Sequence, residues 1–265
     1  MLNYDKVNQI KMNQENIIIY GKHPVIHALK NVKRDIIILY MNEKIASDVK
    51  IKEMLESKEI KKKKFTTKIV DKKFLDKLCS GSNENYVLHQ GIAILTKKLP
   101  EVSIYEFLKN IEKKEKSTVL CLDQVKDPHN IGAIMRNGAA FNIDAIILTK
   151  YNSPEESSII AKTACGALDI VPIITITNLA QTIDLMKKHN FWSYGMSLTH
   201  KNKKNIYDVK FANKSLIIFG NEGLGLRQLT NEKIDYPIYI PMQNIDSLNV
   251  SSSSAILLFA LNNKQ

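Results

Sequence analysis

Three polar segments in the second half of the chain hold the residue types best suited to chemistry. The first, residues 122–137, runs from an apolar stretch through a polar loop into a helical pattern. Ligands of open α/β sheets gather at such carboxyl ends of strands. Asp127-Pro128 supplies a capping residue and a first-turn proline. Asn130 and Arg136 are six residues apart, so helix periodicity alone does not put them on one face. An Asn at the loop–helix junction can still orient a guanidinium on the next turns. The second segment, 217–227, leads an apolar run into Gly220, Gly223 and Gly225, with Glu222 among them. Glycines there permit close approach of backbone to a ligand. Glu222 would repel phosphate and no Lys-Ser/Thr pair follows, which argues against a nucleotide P-loop. A cationic or neutral ligand fits better, and a tight turn with a solvated Glu fits equally well. The third, 238–251, again passes from strand to polar loop to helix. Ser247 or Asn249 is there a candidate N-cap, worth ~1 kcal/mol.

The background composition sharpens the arginines. Of 38 basic residues only Arg34, Arg136 and Arg227 are arginine. Where lysine is the default, an arginine hints at bidentate binding of phosphate or carboxylate, and two of the three fall in the segments above. The net charge of +11 favours a polyanionic partner, nucleic acid first, or lysine serving solubility alone. Cys79, Cys121 and Cys165 share no metal-ligand spacing and the His are scattered, so neither a zinc site nor a disulfide framework is expected. Cys121 and Cys165 read as buried thiols. No apolar run approaches the ~20 residues of a membrane span, and residues 1–15 form a polar tail without a secretory core. The expectation is a cytoplasmic protein with no membrane contact.

The elements that must position these segments alternate throughout. Strands are expected at 16–20, 35–41, 65–70 and 91–96, and helices from 24, at 46–57 and at 71–79, with a basic run at 61–64. This makes an α/β unit of about 80 residues. A linker at 97–103 precedes an amphipathic helix from 104. Further strands are expected at 118–122, 145–148, 172–176, 191–196, 216–219 and 237–240. Helices are expected at 131–141, 157–167, 180–188, 227–231 and about 248–262, and 202–205 reads as a surface loop. Such alternation implies a mostly parallel sheet covered on both faces.

Together, in order and each at a strand end, the three segments resemble the signature motifs of the SpoU (TrmH) family of RNA ribose methyltransferases. Tyr20-Gly21-Lys22-His23-Pro24-Val25 and His89-Gln90-Gly91-Ile92 resemble the start and end of that family's substrate-binding domain, whose α/β fold is like ribosomal protein L30e. Ala164-Cys165-Gly166-Ala167, Val171-Pro172 and Thr177-Asn178-Leu179-Ala180 are similar to the subgroup acting on a guanosine of bacterial 23S rRNA. The resemblance implies a substrate-binding domain at 16–96 and a SPOUT-type domain at 104–265. In the latter, a carboxy-terminal trefoil knot binds S-adenosylmethionine and forms a homodimer. By the same resemblance Gly220, Ile240 and Leu248 contact the cofactor, largely through backbone, and Met242 lies beside it. Asn130, Arg136, Glu222, Ser247 and Asn249 form the catalytic and substrate pocket. Ala260 departs from the Glu that many relatives carry. A tRNA guanosine methyltransferase, a resistance enzyme acting on ribosomal adenosine, and a non-catalytic RNA-binding or assembly protein are the alternatives.

The implied reaction moves a methyl to a ribose 2′-oxygen, which must be held in line while its proton leaves. No metal is expected, because the sulfonium is already activated. A guanidinium hardly deprotonates in proteins, so Arg136 is expected to grip the neighbouring phosphate and stabilise oxyanion charge. Asn130 and Ser247 would hold it and the ribose. Glu222 would brace Arg136 or take the proton through water.

Overall fold

The computed structural model describes residues 15–80, 87–151, 153–198, 200–221 and 225–263. By their packing they form two units.

The first unit holds a sheet ordered β1-β4-β2-β3. The chain runs β1 (Asn16–Tyr20), α1 (Lys22–Lys30), β2 (Ile36–Met41), α2 (Glu43–Ala46), α3 (Val49–Leu55), α4 (Lys58–Lys61), β3 (Thr66–Ile69), α5 (Lys72–Ser80) and β4 (Ile92–Lys97). β4 pairs antiparallel with β1 and β2, and β2 runs parallel to β3. Phe74, Leu75 and Leu78 of α5 pack on Ile18, Tyr20, Tyr40 and Leu95 of the sheet. The expected helix at 46–57 is broken. Asp48 caps a fresh start, its carboxylate accepting from the backbone N–H of Lys50 and Ile51. The motif at 89–92 is stitched to the start of α1: Gln90 Oε1 accepts from Lys22 N at 2.9 Å and Gly21 N donates to Ile92 O. His89 Nδ1 accepts from Gly91 N, which leaves Nε2 to donate to Asp76 at 3.0 Å. Lys97, expected in the linker, is the last residue of β4.

The second unit continues with α6 (Ile104–Asn110), β5 (Ser117–Leu122), α7 (Pro128–Ala140) and β6 (Ala145–Thr149). Next comes α8 (Ser158–Ala164), followed by a 3-10 turn at Ala167–Asp169. This stretch, Glu156–Ile170, packs with the first unit instead of the second. The linear division at 97–103 therefore does not describe how the chain is packed. α8 lies against β1 and the turn against α1. The expected helix over 157–167 stops at Ala164 because Cys165 turns left-handed, φ 52°. Cys165 is half-buried, not buried as expected; Cys121 is fully buried. Burial pushes the Cys79 thiol up to about 12.

After this excursion come β7 (Ile173–Ile176), α9 (Leu179–Lys188), β8 (Trp192–Met196), β9 (Lys204–Asn205), β10 (Lys214–Phe219), α10 (Gln228–Lys233), β11 (Tyr236–Tyr239) and α11 (Val250–Asn262). The sheet order is β7-β6-β5-β10-β8-β11-β9, and every pairing is parallel. β9 lies where a surface loop was expected. On one face, Phe107, Leu108, Ile183 and Met186 pack on Val119, Cys121, Ile147, Leu216 and Ile218. The alternate residues Leu120, Ile146 and Ile217 are also buried, so the sheet is covered on both faces, as near-continuous apolar strands require.

Arg34 holds the excursion in place. Its side chain is fully buried, pairs with Glu156, and donates from Nε to Asp169 at 2.8 Å; Asn31 also donates to Asp169. Removing one partner of a buried ion pair leaves uncompensated charge. Arg34→Leu is therefore expected to destabilise the first unit by about 3 kcal/mol, read as a lowered denaturant midpoint of the first transition.

Candidate active site

Parallel register brings the carboxyl ends of four strands side by side. Leu122 of β5 pairs with Phe219 of β10, Gly195 of β8 with Ile218, and Met196 with Ile238 of β11. The polar segments leave the sheet from these ends, as the strand-end rule predicts.

The first and second segments are joined at their base. Asp123, 1% exposed, donates its backbone N–H to Phe219 O at 2.8 Å. Its carboxylate accepts from Arg227 Nε at 2.9 Å, with Arg227 Nη2 at 2.8 Å and Thr230 Oγ1 at 3.3 Å. Arg227 thus has a carboxylate partner within the fold. Asn221 Nδ2 donates to Gln124 O at 3.2 Å. Asn221 and Gly225 exchange two backbone hydrogen bonds, of 3.0 and 2.8 Å, closing the loop between them. A Cβ on Gly220 would stand 2.3 Å from the backbone of Gly225, so that position admits only glycine. Glu222 lies outside the described residues.

The first and third segments meet through one amide. Asn249 caps α11, its Oδ1 accepting from Ser251 N at 2.8 Å. Its Nδ2 donates to Asn130 Oδ1 at 2.9 Å. Asn130, 7% exposed, is the buried member. Farther along, Asn137 Nδ2 donates to Ser251 O and Ser254 Oγ, both at 2.9 Å. Asp127 caps α7 through His129 N, and Pro128 opens it. Arg136 sits on the solvent side of α7 and has no hydrogen bond or ion pair to another described residue. The expected arrangement in which Asn130 holds Arg136 is therefore not formed: Asn130 is turned to Asn249.

A cavity of about 190 Å³ opens at the strand ends. Gly220, Ile240, Met242, Ser247 and Leu248 all line it. Ile240, expected inside the last strand, lies one residue beyond β11. Sequence reasoning missed Met196, Ser197 and Leu198, which form another wall. The carboxyl end of β8 was the signal available for them. No charged side chain lines the cavity among the described residues. It offers peptide groups, hydroxyls and apolar walls, which suit a ligand without phosphates.

Comparison with known proteins bears on the whole chain. Residues 117–259 match the model of the SpoU rRNA Methylase family, and residues 18–102 match that of the RNA 2′-O ribose methyltransferase substrate binding domain. A Staphylococcus epidermidis protein assigned to the TrmH family of tRNA/rRNA methyltransferases is 34% identical over 256 residues, covering 95% of this chain and 97% of that protein. The 23S rRNA (guanosine-2′-O-)-methyltransferase RlmB of Pasteurella multocida is 34% identical over 245 residues, 92% of this chain and 96% of that one. The fold matches the crystal structure of the SpoU methyltransferase AviRb from Streptomyces viridochromogenes in complex with AdoMet. The TM-score is 0.77 at 16% identity, covering 99% of this chain and 97% of that one.

The two jobs of Asn249 can be separated. Asn249→Ser keeps a capping oxygen but is too short to reach Asn130, whereas Asn249→Ala loses both bonds. The Ala variant is expected to lose about 1–2 kcal/mol and the Ser variant, which keeps the cap but not the bond to Asn130, about half of that or more, measured by denaturant unfolding.

Proposed function

The chain belongs to the SpoU rRNA methylase family, and on that premise we propose that it methylates a ribose 2′-hydroxyl of RNA with S-adenosylmethionine, a guanosine of 23S rRNA being the target. The observation that carries this reading is the cavity at the strand ends, where no charged side chain is among the described lining residues and Gly220, Ile240, Met242 and Leu248 line it with Ser247 beside them. Those are the positions at which the resemblance puts the cofactor. Such a lining fits an adenosine-based ligand without phosphates: peptide groups for the adenine edge, Leu226 and Leu248 for its faces. When bound, S-adenosylmethionine supplies a methyl group already activated by positive charge.

The chain's own residues do the rest. Asn249 holds the Asn130 amide at 2.9 Å, so the two stand as one rigid polar wall for the ribose. Ser247, at the cavity rim, hydrogen-bonds the sugar. Arg136 is the arginine left without a carboxylate among the described residues, and its exposed fork takes the phosphate beside the target ribose. From there it stabilises the charge that develops on the 2′-oxygen as its proton leaves to Glu222 or to water.

The same reading extends to the fold and assembly. The return of the segment after β11 to bond Asn130 supports a trefoil knot, and the substrate-binding match supports an L30e-like first unit. Ile256 and Phe259 are exposed on α11, which supports a second copy of the chain covering that helix. No described helix is long and apolar enough to cross a membrane, in keeping with a cytoplasmic enzyme. The name of the Staphylococcus relative keeps tRNA as the second reading.

Two measurements test the proposal. Ribose methylation is mapped in rRNA and tRNA from a strain lacking the gene, with and without its return. One guanosine of 23S rRNA is expected to lose and regain its methyl group; a tRNA position would select the second reading, and no change anywhere would defeat both. Arg136→Lys is expected to lower turnover about 100-fold at unchanged S-adenosylmethionine affinity. Near-normal turnover would show that a planar, two-pronged grip is unnecessary.

A further inference from the structure

The edge of the parallel sheet formed by β8, β11 and β9 carries a run of aromatic rings that the reaction does not use. Phe211, buried, packs on Tyr194 with ring centroids 5.0 Å apart. Tyr194 stacks on Tyr236 at 5.3 Å with the planes 19° apart, and Tyr236 meets Trp192 at 5.6 Å. Trp192 is the chain's one tryptophan and is 47% exposed. The run thus leads from the core to an indole open to solvent. It is held rigidly: Ala212 N donates to the Tyr194 hydroxyl at 2.9 Å.

One cation stands at this open end, on a segment rich in lysine. Lys204 Nζ lies 5.2 Å from the Tyr236 ring centroid, within cation–π range. Residues 201–214 include Lys201, Lys203, Lys204, Lys210 and Lys214 against a single acid, Asp208. Asp235, beside Tyr236, is already engaged. It accepts from Ser193 N at 2.9 Å and Ser193 Oγ at 2.6 Å, and pairs with Lys187 at 2.8 Å. Burial pushes this carboxyl up, yet these bonds outweigh it and hold it below the usual carboxylate range.

We propose that Trp192 and Tyr236 form a stacking site for an unpaired nucleobase of the RNA, with Lys204 on the adjoining phosphate. This rests on the RNA-substrate reading above and adds a place where the strand is held. Exposed aromatic rings beside lysines are the means by which single strands are gripped without regard to sequence, because every base has a π-face. Trp192 opens β8, and Met196 at its other end lines the cavity. Four residues at ~3.3 Å each put the two about 13 Å apart along the strand, so the base held here belongs to the RNA some nucleotides away from the target.

Because Trp192 is the one tryptophan, its fluorescence reports the site directly. The full chain is titrated with a short single-stranded RNA, with the same RNA as a duplex, and with inorganic polyphosphate, while anisotropy of labelled RNA follows binding. The single strand is expected to quench the emission saturably; duplex and polyphosphate are expected to leave it nearly unchanged. Trp192→Ala is expected to weaken single-strand binding about tenfold at unchanged S-adenosylmethionine affinity, and Trp192→Phe to recover most of it. The stacking site is overturned if the single strand binds with unaltered emission, if duplex or polyphosphate quenches equally, or if Trp192→Ala binds like the parent. No RNA binding of any kind would overturn the RNA-substrate reading as well, so the two failures are told apart.

Discussion

The arrangement of the catalytic half depends on a bond between two side-chain amides. Asn249 gives its oxygen to the first turn of α11 and its N–H to Asn130 at the start of α7. These residues are 119 positions apart in the chain, and each stands at a helix start that follows a parallel strand. A backbone cap alone would end α11 without fixing where it lies. An aliphatic side chain at position 249 would take this hydrogen bond from the buried Asn130, and a bond lost inside the fold costs more than one lost at the surface. One amide that caps and reaches across therefore converts a local stop signal into a tertiary constraint, and the cavity walls at 240–253 inherit their position from it.

The three arginines show how charge is divided between architecture and chemistry. Arg34 and Arg227 are each tied to buried carboxylates, Glu156 with Asp169 in one unit and Asp123 in the other. Both use the planar geometry for which arginine differs from lysine. Arg136 has no such partner among the described residues and stays exposed. Its exposed guanidinium is therefore free of the architectural work that the other two do among the described residues, in keeping with the phosphate-gripping role proposed for it.

Much of this was legible in the sequence. Buried parallel strands are written as uninterrupted Ile, Leu and Val, so ten strands were found to within a residue or two. The cavity lies at their carboxyl ends, where the strand-end rule puts ligands. What escaped was set by local polar competition or by distant partners. Asp48 recapped a helix that periodicity alone would have continued. Lys204–Asn205 became a strand because Ile238 and Tyr239 offered an unpaired edge, not through any pattern of its own. Asn130 was expected to orient Arg136, but a second amide 119 residues away claimed it. The wall at Met196–Leu198 carried no motif.

The excursion of Glu156–Ile170 into the first unit has a consequence for synthesis. The first hundred residues leave the ribosome without their Asp169 and Glu156 partners for Arg34, and without the α8 cover for β1. They cannot complete their packing until some seventy further residues have been translated, by which time β5, α7 and β6 are already out. A cut in the region 97–103 therefore leaves the amino-terminal piece without these partners, and its packing can close only once the chain has been made as far as Ile170.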